Sequence, residues 1–128
     1  MKRIVIVGAP GTGKTTLGLT MSAELGIPLI STDDTMQLYA WSEHSAYLSS
    51  LLSAPDTTYV MEGTATVRAL RKVLEAGTQL PDLVLYLRTV HADRGPKATS
   101  MGKGIATVWA GIEAQLVAAG VIVSYVYV

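Results

Sequence analysis

The chain has 128 residues, 49% of them apolar, a mean hydropathy of +0.36, and ten basic against ten acidic residues. This composition excludes intrinsic disorder, and the neutral net charge disfavours a nucleic-acid binder with a uniformly basic surface. No apolar run reaches the about 20 residues of a membrane-spanning helix, and the absence of cysteine fits a reducing compartment. We therefore expect a single cytoplasmic domain over residues 1–128, without a membrane anchor.

Short apolar runs alternate along the chain with helical segments. Parallel strands need crossover connections, so this alternation predicts a parallel sheet. The expected fold class is α/β: a three-layer sandwich of a five-stranded parallel sheet with helices on both faces. The predicted elements are strand Arg3–Val7, helix Lys14–Leu25, strand Ile27–Ser31, helix Thr35–Leu52, strand Thr58–Glu62, helix Thr66–Ala76, strand Asp82–Arg88, loop 89–103, helix Ile105–Ala119 and strand Val121–Val128.

The first strand runs into a loop of the kind that binds phosphate. A glycine, four further residues and Gly-Lys-Thr follow one another, which lets backbone N–H groups and a helix N-terminus point at an anion. Lys14 would neutralise the β- and γ-phosphates, and the Thr15 hydroxyl would bind Mg²⁺. A glycine-rich turn with an exposed lysine is the alternative. The predicted nucleotide-binding residues are Gly8, Ala9, Pro10, Gly11, Thr12, Gly13, Lys14, Thr15 and Thr16.

On this motif the chain resembles the P-loop NTPases, and as topology the resemblance extends over the whole chain. It implies ATP or GTP with Mg²⁺, but it does not choose between a kinase, a switch and a motor. GTPases and AAA-type motors are disfavoured, because neither switch nor sensor motifs are found in the sequence.

An acidic pair, Asp33 and Asp34, follows the second predicted strand. Ligands of such sheets bind at the carboxyl ends of the strands, so Asp33 is expected beside the phosphate loop. A carboxylate there can accept the proton of an acceptor hydroxyl or hold Mg²⁺, although helix capping is an alternative role for either aspartate. The pair resembles the small P-loop kinases, particularly the polynucleotide-kinase-like branch. That resemblance implies Asp33 as the general base, and we assign Asp34 to the substrate.

The third predicted strand ends in Glu62 and Gly63. The family usually has an aspartate here that assists Mg²⁺, and the longer glutamate favours contact through water or with substrate; a surface carboxylate is the alternative. Gly63 would let substrate approach the backbone. Arg68 and Arg71 lie three residues apart on the next helix and would bind a substrate phosphate, unless that helix face is merely solvated.

Residues 89–103 are basic and rich in glycine, and small P-loop kinases carry their lid at this place. The stretch Arg94-Gly95-Pro96-Lys97-Ala98 is similar to the lid of phage polynucleotide kinases. Mobile arginines can cancel the charge that builds on a transferred phosphoryl group, which makes Arg94, and secondarily Arg88, predicted catalytic residues. A solvated loop without a catalytic arginine is the alternative.

Aromatic residues are grouped between the second and third predicted strands. Trp41 would stack on an acceptor base, or with Tyr47 it would cover the sheet. We expect His44 at the surface, because no metal-ligand spacing includes it, and Trp109 in the core.

These features predict an ATP-dependent phosphotransferase that uses Mg²⁺. The expected acceptor is a hydroxyl on a nucleotide or nucleic acid, such as a polynucleotide end or 5-hydroxymethyluracil in phage DNA, in a phage-encoded enzyme of the host cytoplasm. A small-metabolite or nucleoside monophosphate kinase is one alternative. An ATP-binding or ATPase module without an acceptor is the other.

Overall fold

The computed structural model describes residues 2–9, 13–32, 41–88 and 96–127, and all of their side chains except those of 41–42 and 96–99. Its elements are β1 Arg3–Gly8, α1 Lys14–Leu25, β2 Leu29–Ser31, α2 Trp41–Ser53, β3 Tyr59–Glu62, α3 Thr66–Ala76, β4 Leu83–Arg88, α4 Pro96–Ala118 and β5 Ile122–Tyr127.

The five strands form one sheet in the order β2-β3-β1-β4-β5, and every neighbouring pair is parallel. All six residues of β1 are buried, as expected for a strand at the centre of a parallel sheet that is covered on both faces. The predicted fold class is therefore confirmed, and β1 carries the phosphate loop out from the middle of the sheet.

The two faces of the sheet are covered by unequal layers. On one face α2, α3 and α4 pack on the strands through a large core that includes Leu48, Leu70 and Trp109. On the other face α1 packs on β1, β2 and β3, with Leu17 and Met21 against the smaller core. No helix in the described part of the chain combines the length and the apolar character that a bilayer crossing requires.

A buried arginine fixes the start of β1. The Arg3 side chain is 1% exposed, and its Nε donates to the carbonyl oxygen of Thr57 at 2.9 Å. Its Nη2 donates to the Thr57 hydroxyl and to the carbonyl oxygen of Ala54, directly after α2. These acceptors offset the cost of burying the charge, and they tie β1 to the connection that leads into β3.

The predicted lid is the main correction to the sequence analysis. Residues 96–103 were expected in a loop, but they form the first turns of α4. Pro96 stands at the first helical position, where its missing N–H costs nothing. The glycines that follow each cost only about 1 kcal/mol in a helix, and Gly102 packs close to the Cβ of Ala9. The remainder of the predicted lid, 89–95, lies outside the described residues.

Two side chains test the predictions about burial. Trp109 is 3% exposed, as predicted for a core residue. His44 is 1% exposed, so the expectation of a surface histidine is wrong. It lies on α2, whose inner face packs on the sheet, and a residue's place on that face is decided by tertiary packing. The predicted residues 35–40 of α2 lie outside the described residues.

The large core predicts the cost of truncating Leu70, which is 0% exposed. Leu70→Ala should lower the free energy of unfolding by about 2–5 kcal/mol, because it removes buried methyl groups and leaves a cavity. Leu19→Ala is the matched control: Leu19 is 57% exposed, so the change should stay within about 0.5 kcal/mol. Urea denaturation measures both values. Equal losses in the two variants would contradict this packing.

Candidate functional site

The carboxyl ends of four strands meet along one rim of the sheet. Ser31 ends β2 in register with Glu62, and Glu62 ends β3 in register with Ile6 of β1. Gly8 ends β1 opposite Leu87 of β4. The strands thus deliver the phosphate loop and the ends of β2, β3 and β4 to a common edge, where ligands of open α/β sheets bind.

The N-terminus of α1 has two features of an anion-binding helix end. Gly13 caps the helix in the left-handed region at φ 90°, and its carbonyl accepts the Leu17 N–H at 3.0 Å. The first turn of α1 contains no acidic residue, so no carboxylate of its own neutralises the positive end of the helix dipole. The predicted loop residues Pro10, Gly11 and Thr12 lie outside the described residues.

Lys14 lies at the start of α1 and is only 6% exposed. Its ammonium group donates to the carbonyl oxygen of Ala9 at 2.7 Å. The positive charge is therefore held next to Ala9, directly after β1. Thr16 is exposed in the same first turn.

Glu62 is the central acceptor of the site. Its side chain is 1% exposed, so the alternative of a surface carboxylate is wrong. One oxygen, Oε1, accepts the Thr15 hydroxyl at 3.1 Å and the Ser31 hydroxyl at 2.6 Å. A single carboxylate oxygen thereby joins α1, β2 and β3.

Two glycines make this contact sterically feasible. A Cβ on Gly18 of α1 would lie 2.9 Å from Leu29 Cδ1 and 3.2 Å from Glu62 Cγ. Gly63 has φ 137°, and a Cβ there would overlap the hydroxyl of Thr32. The helix and the end of β2 can therefore approach β3 only because side chains are absent at these positions.

The turn after β3 is fixed by Thr66. Its buried hydroxyl donates to the carbonyl oxygens of Gly63 at 2.9 Å and Ile6 at 3.1 Å. This bond ties the start of α3 to β1, and it holds the backbone next to Glu62 in place.

Arg88 lies at the same rim, at the end of β4. Its guanidinium carbon is 5.3 Å from the centre of the Tyr86 ring and 4.7 Å from that of Tyr125. Burial raises the pKa of Tyr86, although the charge of Arg88 opposes the shift, so the phenol is neutral near pH 7. The contact is thus a cation–π interaction, which orients an exposed arginine without neutralising it.

The other predicted site residues differ in burial, and several lie outside the described residues. Arg68 is half-buried in the first turn of α3, while Arg71 is exposed and lies 3.9 Å from Glu75 of the next turn. Such an exposed pair contributes little stability. The predicted residues Asp33, Asp34 and Arg94 lie outside the described residues, as does the side chain of Trp41.

Three further residues of the site had no predicted role: Ser31, Thr66 and Gly18. Ser31 was recognisable only as the last residue of a strand that ends at the rim. Gly18 and Thr66 lie in predicted helices, and no sequence motif marks them. Their roles depend on the strand atoms that face them, which are Leu29 and Glu62 for Gly18 and the Ile6 carbonyl for Thr66.

The site has the oxygen ligands that a hard divalent cation prefers. Thr15 is exposed, and since its proton points to Glu62, its oxygen keeps lone pairs that face away from the carboxylate. Hydroxyl and carboxylate oxygens beside a phosphate-binding helix fit Mg²⁺, which usually binds few protein ligands together with phosphate oxygens.

Comparison with known proteins identifies both a family and a fold. The model of the family described as "ATPase family associated with various cellular activities (AAA)" matches residues 4–98. No curated protein matches the sequence significantly. The chain has the α/β fold of the P-loop NTPases and superposes on solved kinase structures.

Two of these solved structures cover almost the whole chain. A gluconokinase from Sinorhizobium meliloti 1021 has a TM-score of 0.64 at 17% identity and covers 99% of this chain and 82% of its own. A shikimate kinase from Bacteroides thetaiotaomicron has a TM-score of 0.54 at 16% identity, with coverages of 96% and 84%. At these identities the likeness shows a common fold.

The family match corrects one expectation. AAA-type motors were disfavoured because sensor and switch motifs are not found in the sequence, but the chain nevertheless matches the AAA family. The matched range runs from β1 past β4 and includes the phosphate loop, β2 and Glu62.

Gly63→Ala tests the close approach of β2 and β3. The new Cβ would overlap Thr32 and would also strain a backbone at φ 137°, so we expect a loss of about 1–3 kcal/mol of unfolding free energy. Gly111→Ala is the control: it lies in α4 with no atom within 4 Å of its Cβ position, and it should be neutral or stabilising. Thermal denaturation followed by circular dichroism compares them. A neutral Gly63→Ala would refute the described contact.

Proposed function

Because the chain belongs to the AAA family of ATPases, we propose that it binds ATP at the β1–α1 loop. From its likeness to solved kinase structures, we further propose that it transfers the γ-phosphoryl group to a hydroxyl of a small metabolite. The observation that carries this proposal is the convergence of Lys14, Thr15 and Glu62 at one rim, next to the end of β2 from which Asp33 follows. In this proposal the polyphosphate binds at the start of α1, and the acceptor binds beside it at the carboxyl end of β2.

Each described group has a distinct task in this proposal. The Lys14 ammonium group exchanges the Ala9 carbonyl for phosphate oxygens, and the N–H groups at the start of α1 bind the same anion. Thr15 would hold Mg²⁺ while Glu62 accepts its proton and so orients its oxygen. When bound, Mg²⁺ neutralises charge on the phosphates.

The acceptor side depends on β2 and its continuation. The Ser31 hydroxyl donates to Glu62 and so holds the end of β2 at the rim, and Asp33 follows two residues later in the sequence. An ionised Asp33 accepts the proton of the attacking hydroxyl as the bond to phosphorus forms. Arg88, held over two tyrosine rings at the end of β4, can turn toward the transferred group and stabilise its charge.

The comparisons favour a small-metabolite acceptor over a nucleic acid. Both solved structures named above are small-metabolite kinases, and they cover nearly all of this chain. The chain has no net charge, whereas a nucleic-acid acceptor needs a phosphate-binding surface. A nucleotide or DNA hydroxyl is therefore the less favoured acceptor, and the acceptor screen below includes both.

A second candidate function is ATP hydrolysis without an acceptor, and the family match favours it. The rim is compatible with it, since Glu62 could position a water next to the γ-phosphate. The two candidates differ in what Asp33 does. In a kinase its loss abolishes transfer, while in an acceptor-free ATPase it leaves hydrolysis intact.

An acceptor screen decides between them. Purified protein with Mg²⁺ and γ-labelled ATP is given sugar acids, cyclic polyols, nucleosides, oligonucleotides and hydroxymethylated DNA, and labelled products are counted against buffer alone. We expect transfer to a small hydroxylated metabolite and its near-complete loss in Asp33→Asn. Asp56→Asn, a matched change in the exposed turn before β3, should retain activity. Label released only as phosphate, equally by wild type and Asp33→Asn, would establish the hydrolase instead.

Lys14→Ala tests the nucleotide site itself. Loss of a charge-assisted hydrogen bond costs about 1.5–3 kcal/mol, so the dissociation constant for Mg–ATP should rise about tenfold or more. Lys2→Ala removes an exposed positive charge just before β1, at the opposite end of that strand, and should leave the affinity unchanged. Isothermal titration calorimetry measures both. An unaltered Lys14→Ala affinity would rule out this loop as the binding site.

A further inference from the structure

The two edges of the sheet differ in length. At one edge β2 has three residues, and such a short edge strand is a common protection against unwanted pairing. At the other edge β5 has six residues and, within the described chain, pairs with β4 alone. A long edge strand therefore faces outward next to α4.

Nothing in the composition of β5 discourages pairing. Residues 121–128 contain no charged residue and no proline, the two features that natural edge strands use most to prevent self-association. Ile122 is 66% exposed and Tyr127 is 64% exposed, and both types favour strands. We propose that β5 pairs antiparallel with β5 of a second copy of this chain and makes a two-fold symmetric dimer with a continuous ten-stranded sheet.

The hydrogen-bond pattern of β5 determines the register of this pairing. The Ile122 N–H donates to the Asp82 carbonyl at 3.1 Å, so Ile122 and every second residue after it face β4. The residues between them, Val123, Tyr125 and Tyr127, therefore present their N–H and C=O groups outward.

The outward N–H and C=O groups of β5 in one copy are complementary to the same groups of a second copy. With the two-fold axis at Tyr125, the Tyr125 residues of the two copies face each other, and Val123 of each copy faces Tyr127 of the other. All three pairs fall in the hydrogen-bonded class of an antiparallel ladder, which gives about six intermolecular backbone hydrogen bonds. A symmetric partner thus satisfies each outward group of the strand, and it brings no like charges together.

Ser124 is suited to a disrupting substitution. It is exposed, it lies between Ile122 and Val126 on the face of the sheet that α1 covers elsewhere, and its backbone groups face β4. In the proposed dimer the two Ser124 side chains are diagonal neighbours on one face, about 7–8 Å apart. A lysine there would bring two like charges together in the dimer but would meet only solvent in a monomer.

The test is the molecular mass in solution, measured by sedimentation over micromolar to millimolar concentrations. We expect the wild type to reach twice 13.5 kDa. Ser124→Lys should remain at the monomer mass with an unchanged circular dichroism spectrum, and Ser124→Thr, the matched neutral control, should dimerise. Tyr127→Pro should also remain monomeric, because it removes an outward N–H and no bond to β4.

Amide hydrogen exchange tests the register. In the wild type, the amides of Val123, Tyr125 and Tyr127 should become protected as concentration rises, while Ser124→Lys should leave them unprotected at every concentration. A wild type that stays monomeric throughout the range overturns the proposal. So does a dimer that forms equally in Ser124→Lys, or one whose outward β5 amides gain no protection.

Discussion

One buried carboxylate oxygen governs the geometry of the rim. Glu62 Oε1 accepts hydrogen bonds from one hydroxyl of α1 and one of β2, and a buried acceptor of this kind has to be satisfied. Meeting both donors requires the helix and the strand to come close to β3, which is possible because Gly18 and Gly63 lack side chains. The position of Thr15 in the phosphate loop therefore depends on residues of two other elements.

The rim combines a buried central strand with side chains that lie at the carboxyl ends of the strands. β1 is fully buried and anchored at its start by Arg3, so the loop that leaves it begins from a fixed point. Lys14 and Thr15, the groups proposed to act on phosphate, lie in the first turn of α1, where backbone dipoles would add to their effect. On the far side of β1, Arg88 is oriented by aromatic rings. The family match and the fold both identify a P-loop NTPase.

The sheet is protected unevenly at its edges. β2 is short and ends in the site, whereas β5 is long, uncharged and packed on one face against Trp109 through Tyr125. A strand of that composition is stable at an edge when its outward groups are paired. The proposed catalytic rim spans the ends of β2, β3, β1 and β4, whereas the proposed dimer contact is the outer side of β5. The two meet at Tyr125, because the guanidinium group of Arg88 lies over its ring.

The sequence by itself determined the fold class, the bounds of α1 and α3 and the phosphate loop, because these depend on local glycine signals and on apolar periodicity. Only the tertiary structure decided that Ser31 and Thr15 share Glu62, that His44 is buried, and that residues 96–103 are helical. Each of these depends on contacts between residues far apart in the chain, and such contacts leave no periodic pattern. Helix propensity in particular is a weak preference that packing overrides, as Gly102 against Ala9 shows.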